Sequence, residues 1–124
     1  MAGKVVHFEI PYDDGDRARG FYREAFGWEL STWGEGDYTL VSTGPTDESG
    51  ATEPGFINGG MMQREAPYST PVIVIEVDDV DAALATIERL GGSTVMAKQP
   101  VGDMGWSAYF KDPEGNLMGL FQAT

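Results

Sequence analysis

The sequence predicts an α+β fold made of two β-α-β-β-β modules within one chain. Two observations predict it. A strand-like run followed by a pair of aspartates occurs twice, at Asp13-Asp14 and again 65 residues later at Asp78-Asp79. After each pair, apolar residues recur at helical spacing, and three short strand-like runs follow before the module ends. The repeat is therefore a duplication of one supersecondary unit.

Each module is expected to begin with a strand and continue into a helix. The first strands fall at residues 5–10 and 72–77. The aspartates after them are predicted helix N-caps, because a carboxylate oxygen can accept a hydrogen bond from a free backbone N–H of the first turn. The helices are expected to end at Gly27 and at Gly91-Gly92, where a left-handed residue can close the last turn.

Three strands are expected after each helix. They fall at about residues 28–33, 37–43 and 55–63 in the first module and at 93–98, 106–111 and 116–122 in the second. The segment 44–54 has no periodicity and is predicted to be a polar loop. The modules extend over about residues 4–64 and 70–123. Because neither module alone has enough core, we expect them to form one domain that spans residues 1–124.

Composition excludes several function classes. The chain has no cysteine, which excludes disulfides and thiolate metal sites. Its formal net charge of −12 repels phosphate backbones and anionic membrane surfaces, so we expect neither nucleic acid nor membrane as a partner. No apolar run is long enough to span a bilayer, and no signal sequence is recognisable. We therefore expect a cytoplasmic, soluble protein.

Two short motifs add to the duplication. The run FYREAFGW occupies residues 21–28, and DPEGN occupies residues 112–116. Together with the two modules, they resemble the vicinal oxygen chelate superfamily, which includes glyoxalase I, methylmalonyl-CoA epimerase, extradiol dioxygenases and the fosfomycin and bleomycin resistance proteins. The resemblance covers about residues 4–122. It implies cup-shaped mixed sheets that are paired across a homodimer, with two equivalent sites.

The resemblance also implies where a metal would be held. Catalytic members of the superfamily carry metal ligands on the first and last strand of each module, and these positions fall on His7, Gly59, Val72 and Gly119. Of these four residues, only His7 has a donor atom. Glu9 lies two residues further along the same strand and therefore on the same face, so it is a possible oxygen donor. Because a histidine-carboxylate site needs more ligands than these, we expect no metal and no other cofactor.

The glycines at two of these positions permit two interpretations. They relieve crowding against a neighbouring strand, or they enlarge the cup for a bulky ligand. Strand alternation around the ligand positions predicts the lining of such a cup, which is mostly apolar and equally typical of an ordinary core. The predicted ligand-binding residues are His7, Glu9, Trp33, Ile57, Gly59, Met61, Trp106, Gly119 and Phe121.

The tryptophans are expected to differ in role. Trp33 and Trp106 stand beside glycine-rich turns and are predicted to lie at the mouth of the cup, where a planar ligand or a dimer partner covers them. Trp28 is predicted to pack in the core between helix and sheet.

The leading hypothesis is metal-independent binding of a bulky, partly aromatic small molecule by a homodimer, as the resemblance to the bleomycin-resistance branch implies. Two alternatives stay open. One is a metal-independent lyase, isomerase or oxygenase in which His7 and Glu9 act as an acid-base pair. The other is a metal-dependent lyase of the glyoxalase type, which requires a relocated ligand set.

Overall fold

A computed structural model describes residues 3–33 and 38–124. The chain forms two compact units, one of His7–Pro71 and the other of Met1–Val6 with Val72–Thr124. The predicted glycine-rich turn at Gly34-Glu35-Gly36 lies outside the described residues. Within the two described ranges, no helix is long and apolar enough to cross a membrane.

The first unit follows the predicted order of elements. These are β1 (Val5–Tyr12, whose first two residues group with the other unit), α1 (Gly15–Phe26), β2 (Glu29–Trp33), β3 (Tyr38–Ser42), β4 (Thr46–Asp47), β5 (Gly50–Ala51) and β6 (Asn58–Gln63). The strands are arranged in the order β2-β3-β6-β1, with β1 parallel to β6 and β3 antiparallel to both of its neighbours. The segment predicted as a polar loop contains the two-stranded hairpin of β4 and β5.

The second unit repeats the pattern. Its elements are β7 (Val72–Glu76), α2 (Val80–Arg89), β8 (Ser93–Val101), β9 (Gly105–Lys111) and β10 (Leu117–Ala123). The strands are arranged in the order β7-β10-β9-β8, with β10 parallel to β7 and antiparallel to β9. Both units therefore contain the predicted β-α-β-β-β motif, and the α+β fold class is confirmed.

Local residues fix the starts of both helices and the end of α1 as the sequence predicts, whereas α2 ends at Arg89 with Leu90 as its C-cap, just before the predicted Gly91. The Asp14 carboxylate accepts a hydrogen bond from the Arg17 backbone N–H, and the Asp79 carboxylate accepts one from Ala82. Gly27 takes a left-handed conformation with φ of 72°, and its N–H donates to the Arg23 carbonyl. Each of these groups satisfies a backbone atom that the helix itself leaves without a partner.

The two helices differ in how much of their apolar face is buried. In the second unit, α2 packs on a core of Val80, Leu84, Ala108, Phe110 and Leu120. In the first unit, Phe21 and Phe26 of α1 remain 59% and 64% exposed, although their helical spacing predicts a buried face. The rings contact other aromatic rings instead. Tyr22 stacks on Trp28 at 4.9 Å between ring centroids, with Phe26 5.8 Å from the Trp28 ring.

Candidate functional site

The two faces of the first unit's sheet are distinguished by their contacts with α1. On one face, Phe8 packs 5.9 Å from the ring of Trp28, and the Thr39 hydroxyl accepts a hydrogen bond from Arg19 of α1. Side chains alternate along a strand, so His7 and Glu9 lie on the opposite face. We call this opposite side the His7 face; by strand register it also includes Tyr38, Leu40, Gly60 and Met62.

A continuous hydrogen-bonded chain links three side chains on the His7 face. The Tyr38 hydroxyl donates to Glu9 Oε2 at 2.8 Å, and the Tyr38 hydroxyl oxygen also lies 2.9 Å from His7 Nε2. Glu9 is only 6% exposed. Because removing a carboxylate from water is costly unless it is hydrogen-bonded, the Tyr38 hydroxyl is a principal stabilising partner of Glu9 at this buried position.

The charge of Glu9 influences its neighbours. Burial lowers the pKa of His7 below its ordinary value of 6.5, and the nearby Glu9 charge opposes part of this change. Burial raises the pKa of Tyr68, and the charges of Glu9 and Glu65 raise it further. Tyr68 therefore lies within electrostatic range of the site, and His7 is favoured in its neutral form.

The strand register corrects the predicted equivalence of two glycines. Glu9 pairs with Gly60 on β6, whereas Val74 pairs with Gly119 on β10. Glu9 and Val74 are equivalent positions 65 residues apart, so Gly60 is the counterpart of Gly119. The prediction that Gly59 holds this position is wrong by one residue.

This one-residue difference moves Gly59 to the other side of the sheet. Gly59 pairs with Phe8, and its added Cβ would lie 2.5 Å from the Phe8 ring on the side facing α1. Met61 is also on that side and is fully buried. Ile57 precedes β6 and is partly exposed, with its carbonyl accepting a hydrogen bond from Thr43. The structure therefore does not bring Gly59 and Met61 together with His7.

The glycines at the two equivalent positions accommodate close contacts. A Cβ on Gly60 would collide with the Tyr38 phenol, so Gly60 makes room for the side chain that bridges His7 and Glu9. A Cβ on Gly119 would lie 3.1 Å from Val74 Cγ2 and 3.5 Å from the Tyr109 ring. These contacts support the interpretation that the glycines relieve crowding, and they give no support to an enlarged cup.

Trp33 is the predicted mouth residue that joins the His7 site. It pairs with Tyr38 across β2 and β3, and the two rings meet edge to face with centroids 6.4 Å apart. The side chain of Trp33 is 37% exposed. Trp33 therefore offers an accessible ring next to the polar chain.

Trp106 does not have the predicted position. It pairs with Gln122, whose side-chain oxygen accepts a hydrogen bond from the Val80 N–H at the start of α2. Its ring packs against the core under α2, and Lys98 Nζ lies 4.7 Å from the ring centroid. The prediction that Trp106 lies at a ligand-binding mouth is wrong, because strand parity turns its side chain toward α2.

Gly119 and Phe121 lie on the other face of the second unit's sheet. Gly119 pairs with Val74, and Phe121 pairs with Glu76. Leu120, between them in the sequence, points into the core under α2. This face of the second unit is therefore lined by small and apolar side chains at the ligand positions of the resemblance.

Trp28 is half-buried in the aromatic cluster against α1, in agreement with its predicted packing role. It also lines a surface pocket of about 490 Å³ that continues along Glu29, Leu30 and Ser31. That pocket lies at the end of α1. By strand register its residues Ser31 and Ser42 share the face of Leu40, but His7, Glu9, Tyr38 and Trp33 are not among its lining residues.

The donor set does not fit a metal of the kind that the resemblance implies. Val72, Gly60 and Gly119 carry no side-chain donor atom. In residues 3–33 and 38–124, no group of three or more His, Cys, Asp and Glu side chains is arranged to hold a metal ion. His7 and Glu9 are instead joined through the Tyr38 phenol. The arrangement is suited to hydrogen bonding and proton transfer.

Sequence reasoning missed Tyr38, Gly60 and Tyr68. Tyr38 falls inside the predicted strand 37–43, but only its pairing with β6 places the phenol over Gly60. The adjacent glycines 59 and 60 made the alignment of the two modules ambiguous. In each module the first strand pairs in parallel with the last strand. The pairs Glu9 with Gly60 and Val74 with Gly119 resolve the ambiguity.

Comparisons with known proteins agree with the fold. Residues 4–44 match a family model described as bleomycin resistance protein-like N-terminal. A probable lactoylglutathione lyase of Vibrio cholerae is 32% identical over 124 residues, which cover 96% of this chain and 90% of that protein. The putative glyoxylase CFP32 of Mycobacterium tuberculosis is 32% identical over 94% of this chain, which spans 44% of that relative.

Solved structures extend the likeness over the whole chain. A variant of Streptomyces coelicolor methylmalonyl-CoA epimerase bound to 2-nitronate-propionyl-CoA superposes with a TM-score of 0.65 at 20% identity, covering 100% of this chain and 96% of that one. At this identity the likeness concerns the fold alone.

Proposed function

The chain belongs to the vicinal oxygen chelate superfamily, and from this membership we propose that it binds a partly aromatic small molecule without a metal, at the His7 face of its first unit. The observation that carries the proposal is the hydrogen-bonded chain of His7, Tyr38 and Glu9 with the accessible Trp33 ring beside it. A binding site for small molecules typically combines apolar surface with a few well-placed polar groups.

Each part of this site has a distinct use in recognition. Glu9 and His7 fix the orientation of a polar ligand group through hydrogen bonds, and Tyr38 holds both of them in place. Trp33 supplies a ring for an aromatic ligand group, which is worth about 0.5–1.5 kcal/mol beyond the area that it buries. The segment that matches the bleomycin-resistance-like model, residues 4–44, contains all four of these residues.

The preference for metal-independent binding rests on side-chain chemistry. Of the positions that hold the metal in catalytic relatives, three carry hydrogen or hydrocarbon side chains here, at Gly60, Val72 and Gly119. The fourth position is His7, which is hydrogen-bonded to the Tyr38 phenol, and the phenol in turn is hydrogen-bonded to Glu9. We also propose that the protein acts as a homodimer, which would cover apolar surface such as the exposed rings of α1.

Tryptophan fluorescence with bleomycin as the probe tests the proposed binding. We expect saturable quenching that Trp33→Phe reduces and Trp106→Phe leaves intact, because the Trp33 ring contacts Tyr38, whereas the Trp106 ring packs against the core under α2 of its own unit. Glu9→Gln and Tyr38→Phe should each weaken binding about tenfold to a hundredfold, which corresponds to the loss of a buried hydrogen bond to a charged group. Glu29→Gln is the matched control, because it removes an exposed carboxylate from β2.

Two results would contradict this proposal. Saturable binding with an affinity that neither Glu9→Gln nor Tyr38→Phe changes would place the binding site elsewhere. The absence of saturable quenching with bleomycin and with smaller polycyclic aromatic compounds would reject the aromatic ligand class.

A second candidate function is favoured by the same hydrogen-bonded chain. A neutral imidazole linked to a carboxylate is the arrangement of a general base, so the site is suited to a metal-independent isomerase or lyase. The relatives are named for reactions of lactoylglutathione and methylmalonyl-CoA. Incorporation of solvent deuterium next to a carbonyl group of either compound, with EDTA present, would support the enzyme over the binding protein. Loss of that exchange in EDTA would exclude metal-independent catalysis.

A further inference from the structure

The phenol of Tyr38 determines which nitrogen of His7 carries a proton. A tyrosine hydroxyl has a single hydrogen, and Tyr38 donates it to Glu9 Oε2 at 2.8 Å. The Tyr38 hydroxyl oxygen lies 2.9 Å from His7 Nε2, and toward that nitrogen it can therefore only accept a hydrogen bond. Nε2 must carry the hydrogen of that bond, which leaves Nδ1 with its lone pair when the ring is neutral.

The Nδ1 atom is not fully buried. Among the described residues, the hydrogen bond of the His7 ring is the one from Nε2 to Tyr38. No buried side-chain nitrogen or oxygen in that part of the chain lacks a hydrogen-bond partner, so Nδ1 is not sealed inside. Burial lowers the pKa of His7, which keeps the lone pair of Nδ1 free near neutral pH.

We propose that His7 Nδ1 is the atom that accepts a hydrogen bond or a proton from the ligand, and that Tyr38 and Glu9 are positioning residues that hold the ring in the Nε2–H form. This inference rests on the proposed function of the same site. It names the ligand class as one that presents a hydrogen-bond donor to the imidazole, such as a hydroxyl group, or a carbon-bound hydrogen next to a carbonyl.

The same chain can move a proton if the ligand is acidic. The ligand–H bond breaks, its electron pair stays on the ligand, and the proton forms a bond to His7 Nδ1. The Nε2 proton passes to the Tyr38 oxygen, and the phenol proton passes to Glu9 Oε2. The products are a ligand anion, a neutral His7 and a protonated Glu9, so charge and protons balance. A base that is oriented by a second group, which is itself oriented by a carboxylate, follows the general logic of catalytic triads.

Gly60 makes this hydrogen-bonded arrangement possible. Its lack of a side chain leaves the space in which the phenol lies, since a Cβ there would collide with the Tyr38 hydroxyl and ring. At this position, where the resemblance implies a metal ligand, the space is occupied by a phenol from the neighbouring strand.

Nitrogen NMR tests the inference without a ligand. His7 is the one histidine of the sequence, so ¹⁵N-histidine labelling reports on a single ring. At about pH 8, where a histidine is neutral, we expect protonated Nε2 and unprotonated Nδ1. In Glu9→Gln, the amide can donate to the Tyr38 oxygen, so the phenol proton turns to Nε2 and the ring shifts toward the Nδ1–H form. Glu29→Gln should leave the ring signals unchanged.

Several outcomes would overturn the inference. One is a wild-type ring that is protonated at Nδ1, and another is a folded Glu9→Gln variant with unchanged proportions of the two forms. If Glu9→Gln does not fold, Tyr38→Phe serves instead. It should give signals averaged between the two forms, and a persistent single Nε2–H form would contradict the positioning role.

Added bleomycin separates this inference from the proposed binding function. If both hold, the probe should shift the Nδ1 signal more than the Nε2 signal. If bleomycin quenches the fluorescence and, at saturation, leaves the signals of an Nε2–H ring unshifted, Nδ1 is not the ligand contact. The fluorescence titration alone decides whether bleomycin binds.

Discussion

Replacement of Gly60 by alanine tests whether the Tyr38 phenol occupies the space above this glycine. The new methyl group would collide with the phenol, and the flexible end of Tyr38 would have to move away. The displacement breaks the bonds to His7 and to Glu9. A neutral hydrogen bond contributes about 0.5–1.5 kcal/mol and one to a charged group about 1.5–3, so we expect Gly60→Ala to lower the free energy of unfolding by about 2–4.5 kcal/mol.

A double-mutant cycle identifies the cause. In a Tyr38→Ala background the phenol is gone, so Gly60→Ala should be neutral or stabilise by about 0.5–1 kcal/mol, the usual gain when alanine replaces glycine in regular structure. Gly20→Ala is the matched control. Gly20 lies in α1 with open space around its Cβ position, so its replacement should stabilise by a similar amount.

Urea unfolding followed by circular dichroism gives these free energies through the midpoint and slope of the transition. If Gly60→Ala costs the same amount with and without the Tyr38 side chain, the two positions are not coupled. A neutral Gly60→Ala in the wild-type background would likewise refute the placement of the phenol.

Four further predictions follow from the site and its surroundings. Elemental analysis after dialysis should find no stoichiometric Ni, Zn, Fe or Mn, and about one such ion for each chain would contradict the metal-free proposal. Trp33→Ala should weaken binding of an aromatic probe by about 1–3 kcal/mol, whereas Trp106→Ala should lower stability in urea and leave the affinity of the folded protein unchanged. Because the pKa of His7 is lowered in the folded state, the unfolded chain binds its proton more tightly. The contribution of His7 to the free energy of unfolding is therefore complete above pH 6.5 and decreases as the pH falls through the folded-state pKa. His7→Gln should remove this pH-dependent contribution, which is measured as the unfolding midpoint against pH. Light scattering at micromolar concentration should report a dimer, and a compact monomer would contradict the proposed assembly.

Much of the fold follows from local sequence. Asp14 and Asp79 cap their helices because a short carboxylate next to a free N–H is satisfied within a single turn. Gly27 and Gly115 end a helix and a turn with positive φ, as their positions in the sequence predict. The turn before β10 closes through Asp112, and hydrogen bonds from Asn116, followed by those from Glu114 and Gly115, lower the pKa of its carboxyl group.

Side-chain identity also decided part of the chemistry from sequence alone. Val72 and Gly119 have no donor atom in any conformation, and a chain with one histidine and no cysteine offers few ligands to a transition metal. His7 and Glu9 were placed on one face of a strand by simple alternation, and the structure joins them through one intervening phenol.

Only the tertiary structure decided which residues surround that pair. Strand pairing sets the face on which a side chain lies, and a shift of one residue reverses it. Because of this register, Gly60 and not Gly59 shares a face with Glu9, and the Trp106 side chain lies on the face that packs against α2. It also places Tyr38, which is 29 residues from Glu9 in sequence, within hydrogen-bond distance of the Glu9 carboxylate. The sequence alone determined the two modules and the polar pair, whereas the pairing of β3 with β6 determined that a phenol connects that pair, because only long-range backbone hydrogen bonds fix the register.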